Sequence, residues 1–240
     1  MELARLIKSD DEMMAMRRSI FSCEKSMELM RNHFKPGITE QELWSQFQME
    51  AVSRGAEWIE TRLLASGPRA NPWYQECSSR PIRSGELMGF DTDLVGSYGY
   101  CTDMSRTWLC GDEKPTDEQK EIYTMGYEQI QNNMKLLKPG TTFKELTLNS
   151  MEYSKDEFRH YSVLFHGVGL CDEFPAIPFS WELNENSFDG VLKPGMVMCV
   201  ETYVGRYSGG PGVKLEEQVL ITNNGHELLT SYPFESDLLL

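Results

Sequence analysis

The sequence predicts an α+β fold in which helices cover a pseudo-two-fold antiparallel sheet. Two observations carry that expectation. A helix, a Lys-Pro-Gly stop, a capped helix and an extended run occur in that order twice, about a hundred residues apart. Strand hairpins follow each copy, and no low-complexity or linker-like segment separates the copies. The spacing is too long for a solenoid repeat. Two similar halves that each lay two helices on one shared sheet satisfy both observations.

In chain order, Ser9 and Glu12 form a capping-box pattern that opens a helix to about Phe34, where Lys35-Pro36-Gly37 stops it. Thr39 and Glu42 open a second helix through about Arg54, and residues 58–65 read as extended. The first hairpin is "FDTDLVGSYGYCTDMSRTW", residues 90–108, turning at Gly96 to Gly99. Thr116 and Gln119 then cap a helix that ends at Lys138-Pro139-Gly140. Thr142 and Glu145 cap another, to about Lys155, before an extended run at 161–165. The second hairpin joins "VMCVETYV" to "GVKLEEQVLIT" through the turn-forming "SGGPG" at 208–212.

Composition narrows the function classes. Apolar residues make up 40% of the 240, enough for a sizeable core. The net charge of -14 opposes a nucleic-acid partner, which needs a basic surface, but not a small cationic substrate. Six scattered cysteines without CxxC spacing, and no apolar leader at the N-terminus, suit reduced thiols in a cytoplasmic protein. No apolar run approaches a membrane span.

The first hairpin raises a charge problem. Asp91 and Asp93 sit two apart, on one face of a regular strand, and the turn brings Asp103 back opposite them. Like charges on neighbouring strands repel, and no basic residue precedes Arg106. The second hairpin adds Glu201 and Glu216, with Glu217 facing the other way, and His166 lies on the apolar run "LFHGVGL" between the hairpins. Taken singly, each acidic group reads as solvated surface and His166 as a core residue. Together, five carboxylates on strands whose turns make them converge, plus one imidazole, suit two divalent first-row ions better than a lone structural zinc. Such a pair polarises a substrate oxygen and can activate a nucleophile.

The order Asp, Asp, His, Glu, Glu on two hairpins resembles the creatinase, prolidase and methionine aminopeptidase family, whose fold is called pita-bread. "GYCTDMSRTW" resembles its second-aspartate motif, "FHGVGL" its histidine motif and "VKLEEQVLIT" its last-glutamate motif, and the likeness runs from about Ile7 to Tyr232. The resemblance implies that Asp91, Asp103, His166, Glu201 and Glu216 are metal ligands, with Asp103 and Glu216 bridging two ions. It implies one pita-bread catalytic domain over residues 1–240, without the N-terminal domain of creatinases.

The sequence departs from the peptidases at three places. Asp91 lies twelve residues and Asp93 ten before Asp103, where the family has eleven, so Asp93 is a sixth candidate ligand. Trp73 or Tyr74 stands where the peptidases carry an upstream histidine, and Asp172 and Glu173 stand near their second one. These features, with the Asp-Thr-Asp pattern, are similar to the DddP-type dimethylsulfoniopropionate lyases within the family, iron-associated homodimers. That likeness implies β-elimination of dimethyl sulfide from a small cationic carboxylate, two divalent ions (iron, or manganese, cobalt or zinc), Tyr161 as a substrate tyrosine and Asp172 as general base. Nearby acids and partial burial are expected to raise the Asp172 pKa. Trp73, Tyr74, Tyr161, Phe165 and Trp181 are the aromatic candidates for an onium group, with Trp73, Tyr161 and Trp181 the expected substrate contacts. The alternatives are an Xaa-Pro dipeptidase or aminopeptidase and a non-catalytic binding module.

Overall fold

The computed structural model describes residues 2–185, 187 and 189–240. Helices α1 (Glu2–Arg5), α2 (Asp10–His33) and α3 (Glu40–Ser53) precede strands β1 (Trp58–Ile59), β2 (Leu64–Ser66) and β3 (Leu87–Asp91). The first hairpin follows as β4 (Leu94–Val95), β5 (Cys101–Thr102) and β6 (Ser105–Leu109). Helices α4 (Asp117–Met134) and α5 (Phe143–Asn149) lead to β7 (Phe158–Arg159), β8 (Phe165–Val168) and β9 (Asp172–Ile177). The chain closes on β10 (Val197–Arg206), β11 (Gly212–Thr222) and β12 (Gly225–Leu228). All pairings are antiparallel, in ladders β1-β4-β5, β2-β3-β6 and β12-β11-β10-β8-β9, with β7 also on β10. Thr107 stitches the halves together: its hydroxyl donates to the Lys214 carbonyl at 3.0 Å and accepts from the Lys214 amide at 3.1 Å, joining β6 to β11.

The expected capping boxes form at Ser9, Thr39, Thr116 and Thr142. The two-fold likeness extends to single hydrogen bonds. Gly37 donates to the Ile82 carbonyl and Gly140 to that of Leu192, both at 2.8 Å. Both glycines hold φ near +90°, at +93° and +91°, which lets each Lys-Pro-Gly turn reverse the chain without a Cβ clash. One step on, Gly85 donates to Cys110 and Gly195 to Ile221, setting the start of β3 and of β10 in matching ways. Each half buries its own core. Met27, Met30, Trp44 and Phe47 of α2 and α3 pack on Met88, Phe90 and Trp108, while Ile122, Ile130 and Leu146 of α4 and α5 pack on Met198, Val200 and Leu215.

Four expected elements differ: the helix read to Lys138-Pro139-Gly140 ends at Met134, the extended run 58–65 divides into β1 and β2, and the other two differ as follows. The helix expected to reach Lys155 stops at Asn149, because α4 side chains capture the next backbone: Gln129 donates to the Met151 carbonyl at 2.8 Å, and the Met151 amide donates to Asn133 at 2.7 Å. The extended run at 161–165 resolves into β7 and β8, with Tyr161 in the loop between them.

Candidate metal centre

Strand alternation and register build the site. On β10, Cys199, Glu201 and Tyr203 share one face, while Met198, Val200 and Val204 enter the core beneath α4. On β11, Lys214, Glu216 and Gln218 share the corresponding face, and Glu201 is the direct register partner of Glu216. Two carboxylates directly opposite repel. His166 enters from β8, opposite Cys199. Asp91 ends β3 opposite Ser105, and Asp103 sits in the break between β5 and β6.

Asp91, Asp103, His166, Glu201 and Glu216 are all buried, and the structure brings all five together. The His166 Nε2 lies 3.2 Å from Glu216 Oε1 and 3.6 Å from both Asp103 Oδ2 and Glu201 Oε1. Its Nδ1 lies 3.0 Å from the Gly167 carbonyl, an acceptor that keeps a proton on Nδ1, so Nε2 is the nitrogen turned to the cluster.

Burial and mutual repulsion set the electrostatics of the cluster. Burial and the neighbouring Glu216 and Asp91 push Asp103 well above the usual carboxylate range. Burial pushes Glu201 up to about 8 against the pull of Lys214. Burial also opposes ionisation of Glu216, but Lys214 and His166 overturn it and hold that carboxylate well below its ordinary value. His166 is pulled down by burial and raised by Glu216, Glu201 and Asp172 to about 10. Asp103 Oδ1 and Glu201 Oε1 are buried with no hydrogen-bond partner, which is costly unless an ion takes them. One imidazole with carboxylates fits manganese, iron, cobalt or zinc, so the residues fit the ions the fold implies.

Asp93 reaches this centre by a route that corrects the sequence reading. β3 ends at Asp91, and Asp93 has φ +37°, so it does not share the face of Asp91 by strand alternation. The break turns its carboxylate onto the Thr61 hydroxyl and brings it within 4.8 Å of Asp103 and Asp172 ligand atoms. Burial and Asp91 push it up to about 7.

The Asp172 carboxylate stands at the mouth, 3.7 Å from His166 Nδ1. Its side chain is 58% exposed, which removes the partial burial on which the expectation of a strengthened base rested. Glu173 is buried instead, 3.1 Å from Lys8 and 3.3 Å from Arg5, and accepts from the Leu170 amide at 3.0 Å. It holds the turn that leads into Asp172. Glu173→Gln is expected to cost about 2 kcal/mol of stability, seen as a lower thermal midpoint, while leaving activity far closer to wild type than changes at Asp172.

The aromatic candidates divide. Tyr161 covers the centre, its ring 4.2 Å from Lys214 Nζ, and Tyr74 stacks on it at 5.3 Å. Trp73 is buried and stacks on Tyr203. Trp181 stacks on Phe179 and meets His160 edge-on, so it joins the wall beyond His160 and not the Tyr74–Tyr161 stack. Phe165 alternates with His166 and is fully buried in the α4–α5 core, so it presents no face to a ligand.

Sequence reasoning missed Lys214, Ser105 and Cys199. The Lys214 ammonium lies 2.8 Å from Glu201 Oε2, 2.8 Å from Glu216 Oε2 and 3.2 Å from Asp91 Oδ2. Ser105 Oγ lies 2.7 Å from Asp91 Oδ1 and 2.9 Å from Lys214 Nζ. Cys199 Sγ lies within 4.8 Å of Asp103, His166 and Glu216 ligand atoms. The signal was the period of two already applied to the carboxylates: Lys214 precedes Glu216 by two, and Cys199 precedes Glu201 by two.

Residues 14–223 match the profile of metallopeptidase family M24, across both hairpins and His166. The chain belongs to that family. Among M24 relatives, the dimethylsulfoniopropionate lyase DddP of Roseovarius nubinhibens is 45% identical over 99% of this chain and 55% of its own length. The lyase of the same name from Roseobacter denitrificans is 46% identical over the same shares. The chain thus spans about half the length of the curated relatives it matches. The prolidase of Pyrococcus horikoshii superposes with a TM-score of 0.85 at 29% identity, covering 98% of this chain and 66% of that one. The Xaa-Pro dipeptidase of Bacillus anthracis gives 0.84 at 29% identity, over 98% and 64%. The M24 fold of this chain is the pita-bread fold of those prolidases.

Proposed function

We propose that this chain is a metal-dependent lyase that cleaves dimethylsulfoniopropionate to dimethyl sulfide and acrylate by β-elimination. The observation that carries this reading is the Asp172 carboxylate, held at the mouth of the carboxylate–His166 cluster where an M24 peptidase would use an imidazole. The likeness to relatives named as dimethylsulfoniopropionate lyases supports it. Asp91, Asp93, Asp103, His166, Glu201 and Glu216 would hold two divalent ions, iron by resemblance. Bound ions would polarise the substrate carboxylate and acidify the neighbouring carbon. Asp172 would take the proton from that carbon, the carbon–sulfur bond would break, and its electron pair would leave on neutral dimethyl sulfide. That departure needs no general acid. The exposed Tyr74 ring, stacked on Tyr161, offers a π-face to the sulfonium. Six free cysteines are consistent with a cytoplasmic setting, and no described helix is long and apolar enough to cross a membrane. A homodimer is the assembly we propose.

The deciding experiment incubates metal-loaded protein with dimethylsulfoniopropionate and, separately, with proline dipeptides. Dimethyl sulfide release without free amino acids is expected; the reverse would establish the dipeptidase reading, which the prolidase-like fold favours. Against that reading, the other three histidines lie elsewhere: His33 at the end of α2, His160 beside Phe179, and His226 on the Leu137 carbonyl. Glu216→Ala is expected to lose at least half of the bound metal by elemental analysis. Full metal content in that variant would strike Glu216 from the ligand set.

A further inference from the structure

Lys214 is fully buried, and its ammonium is held from several sides. It contacts one oxygen each of Asp91, Glu201 and Glu216, donates to the Ser105 hydroxyl at 2.9 Å, and lies under the Tyr161 ring. The oxygens it engages belong to three residues of the proposed ligand set, so an arriving ion and the ammonium must share the same carboxylates. Among the described residues, Lys214 and His166 are the cationic groups in contact with Asp91, Asp103, Glu201 and Glu216. Charge balance points the same way. Asp91, Asp93, Asp103, Glu201 and Glu216 carry five negative charges when ionised, and two divalent ions leave one unmatched. Lys214 supplies it.

We propose that Lys214 is an internal counter-ion that holds Asp91, Glu201 and Glu216 together before metal arrives and competes with divalent ions for them, setting the metal affinity of the site. The inference rests on reading this cluster as a metal site. Without metal, Lys214 is, among the described residues, the one cation that touches Asp91, Glu201 and Glu216 together, and it offsets, with His166, the repulsion between the directly opposed Glu201 and Glu216. With metal, the same positive charge opposes every divalent ion entering a poorly solvated space. A neutral side chain at position 214 should therefore weaken the metal-free fold and strengthen metal binding at once. A purely structural lysine would produce the first effect without the second.

The test uses chelator-treated protein, titrated with Mn²⁺ by calorimetry and melted with and without Mn²⁺. Lys214→Met and Lys214→Gln are both expected to melt below wild type when metal-free and to bind Mn²⁺ at least about tenfold more tightly, as removal of a close like charge requires. Wild-type or weaker Mn²⁺ affinity in either variant would overturn the proposal. If the metal-free variants do not fold, they are purified loaded and challenged with EDTA. Mn²⁺ release slower than from wild type then supports the proposal, and equal or faster release overturns it. Failure of wild-type protein to bind Mn²⁺ at all would be a different result, removing the metal reading and this inference with it.

Discussion

Asp172→Asn is expected to retain its metals and its fold while losing dimethyl sulfide production by about a hundredfold or more, the usual cost of removing a general base. The substitution preserves shape and removes only the proton acceptor. Asp172 is exposed at the start of β9, so no buried partner is orphaned and the thermal midpoint should stay at the wild-type value. Its distance from His166 Nδ1, 3.7 Å, makes the carboxylate a neighbour of the cluster without making it a closed part of it. Dimethyl sulfide release is measured by gas chromatography alongside metal content. Wild-type rates would exclude Asp172 as the base. Unchanged cleavage of a proline dipeptide by the same variant would return the assignment to a peptidase.

Arg106→Met is expected to destabilise the protein by about 3–5 kcal/mol, read as a lower denaturation midpoint, because it leaves a buried charge without its partner. The Arg106 guanidinium donates to Glu217 Oε1 at 2.7 Å, to the Glu216 carbonyl at 2.7 Å and to the Ser105 carbonyl at 2.9 Å. It also reaches the carbonyls of Tyr232 and Pro233 and lies over the Phe234 ring. It thus ties β6 to β11 and to the segment beyond β12, directly behind the proposed ligand Glu216. Burial already disfavours the ionised Glu217, and Arg106 is what opposes that. Arg106→Met with Glu217→Leu should recover part of the loss, since exchanging a buried ion pair for apolar groups is often near neutral. A single variant as stable as wild type would show that these contacts contribute little.

Much of the centre was legible because its chemistry follows a period of two. Glu201 and Glu216 lie on strands of regular alternation, so their convergence and the opposite orientation of Glu217 could be read directly, as the Arg106 pairing of Glu217 bears out. The same rule misled at Asp93, where the chain leaves the strand after Asp91 and takes a left-handed turn. Applied to Lys214 and Cys199, the rule would have found both; a search confined to acidic and imidazole ligands passed over them. Burial was harder to foresee. Asp172 and Glu173 are adjacent, yet one is exposed and the other enclosed by Lys8, a partner 165 residues away.

By itself the sequence determined the α+β class, the four capped helices, the doubled Lys-Pro-Gly turns and the two hairpins, because each depends on contacts among residues close along the chain. Tertiary structure alone decided where α5 ends, which aromatic rings cover the centre and which charge balances it. The Asn133–Met151 contact, the Tyr161–Lys214 contact and the Lys214–Asp91 ion pair each join residues whose proximity is set by packing two halves on one sheet, and no local propensity encodes that distance.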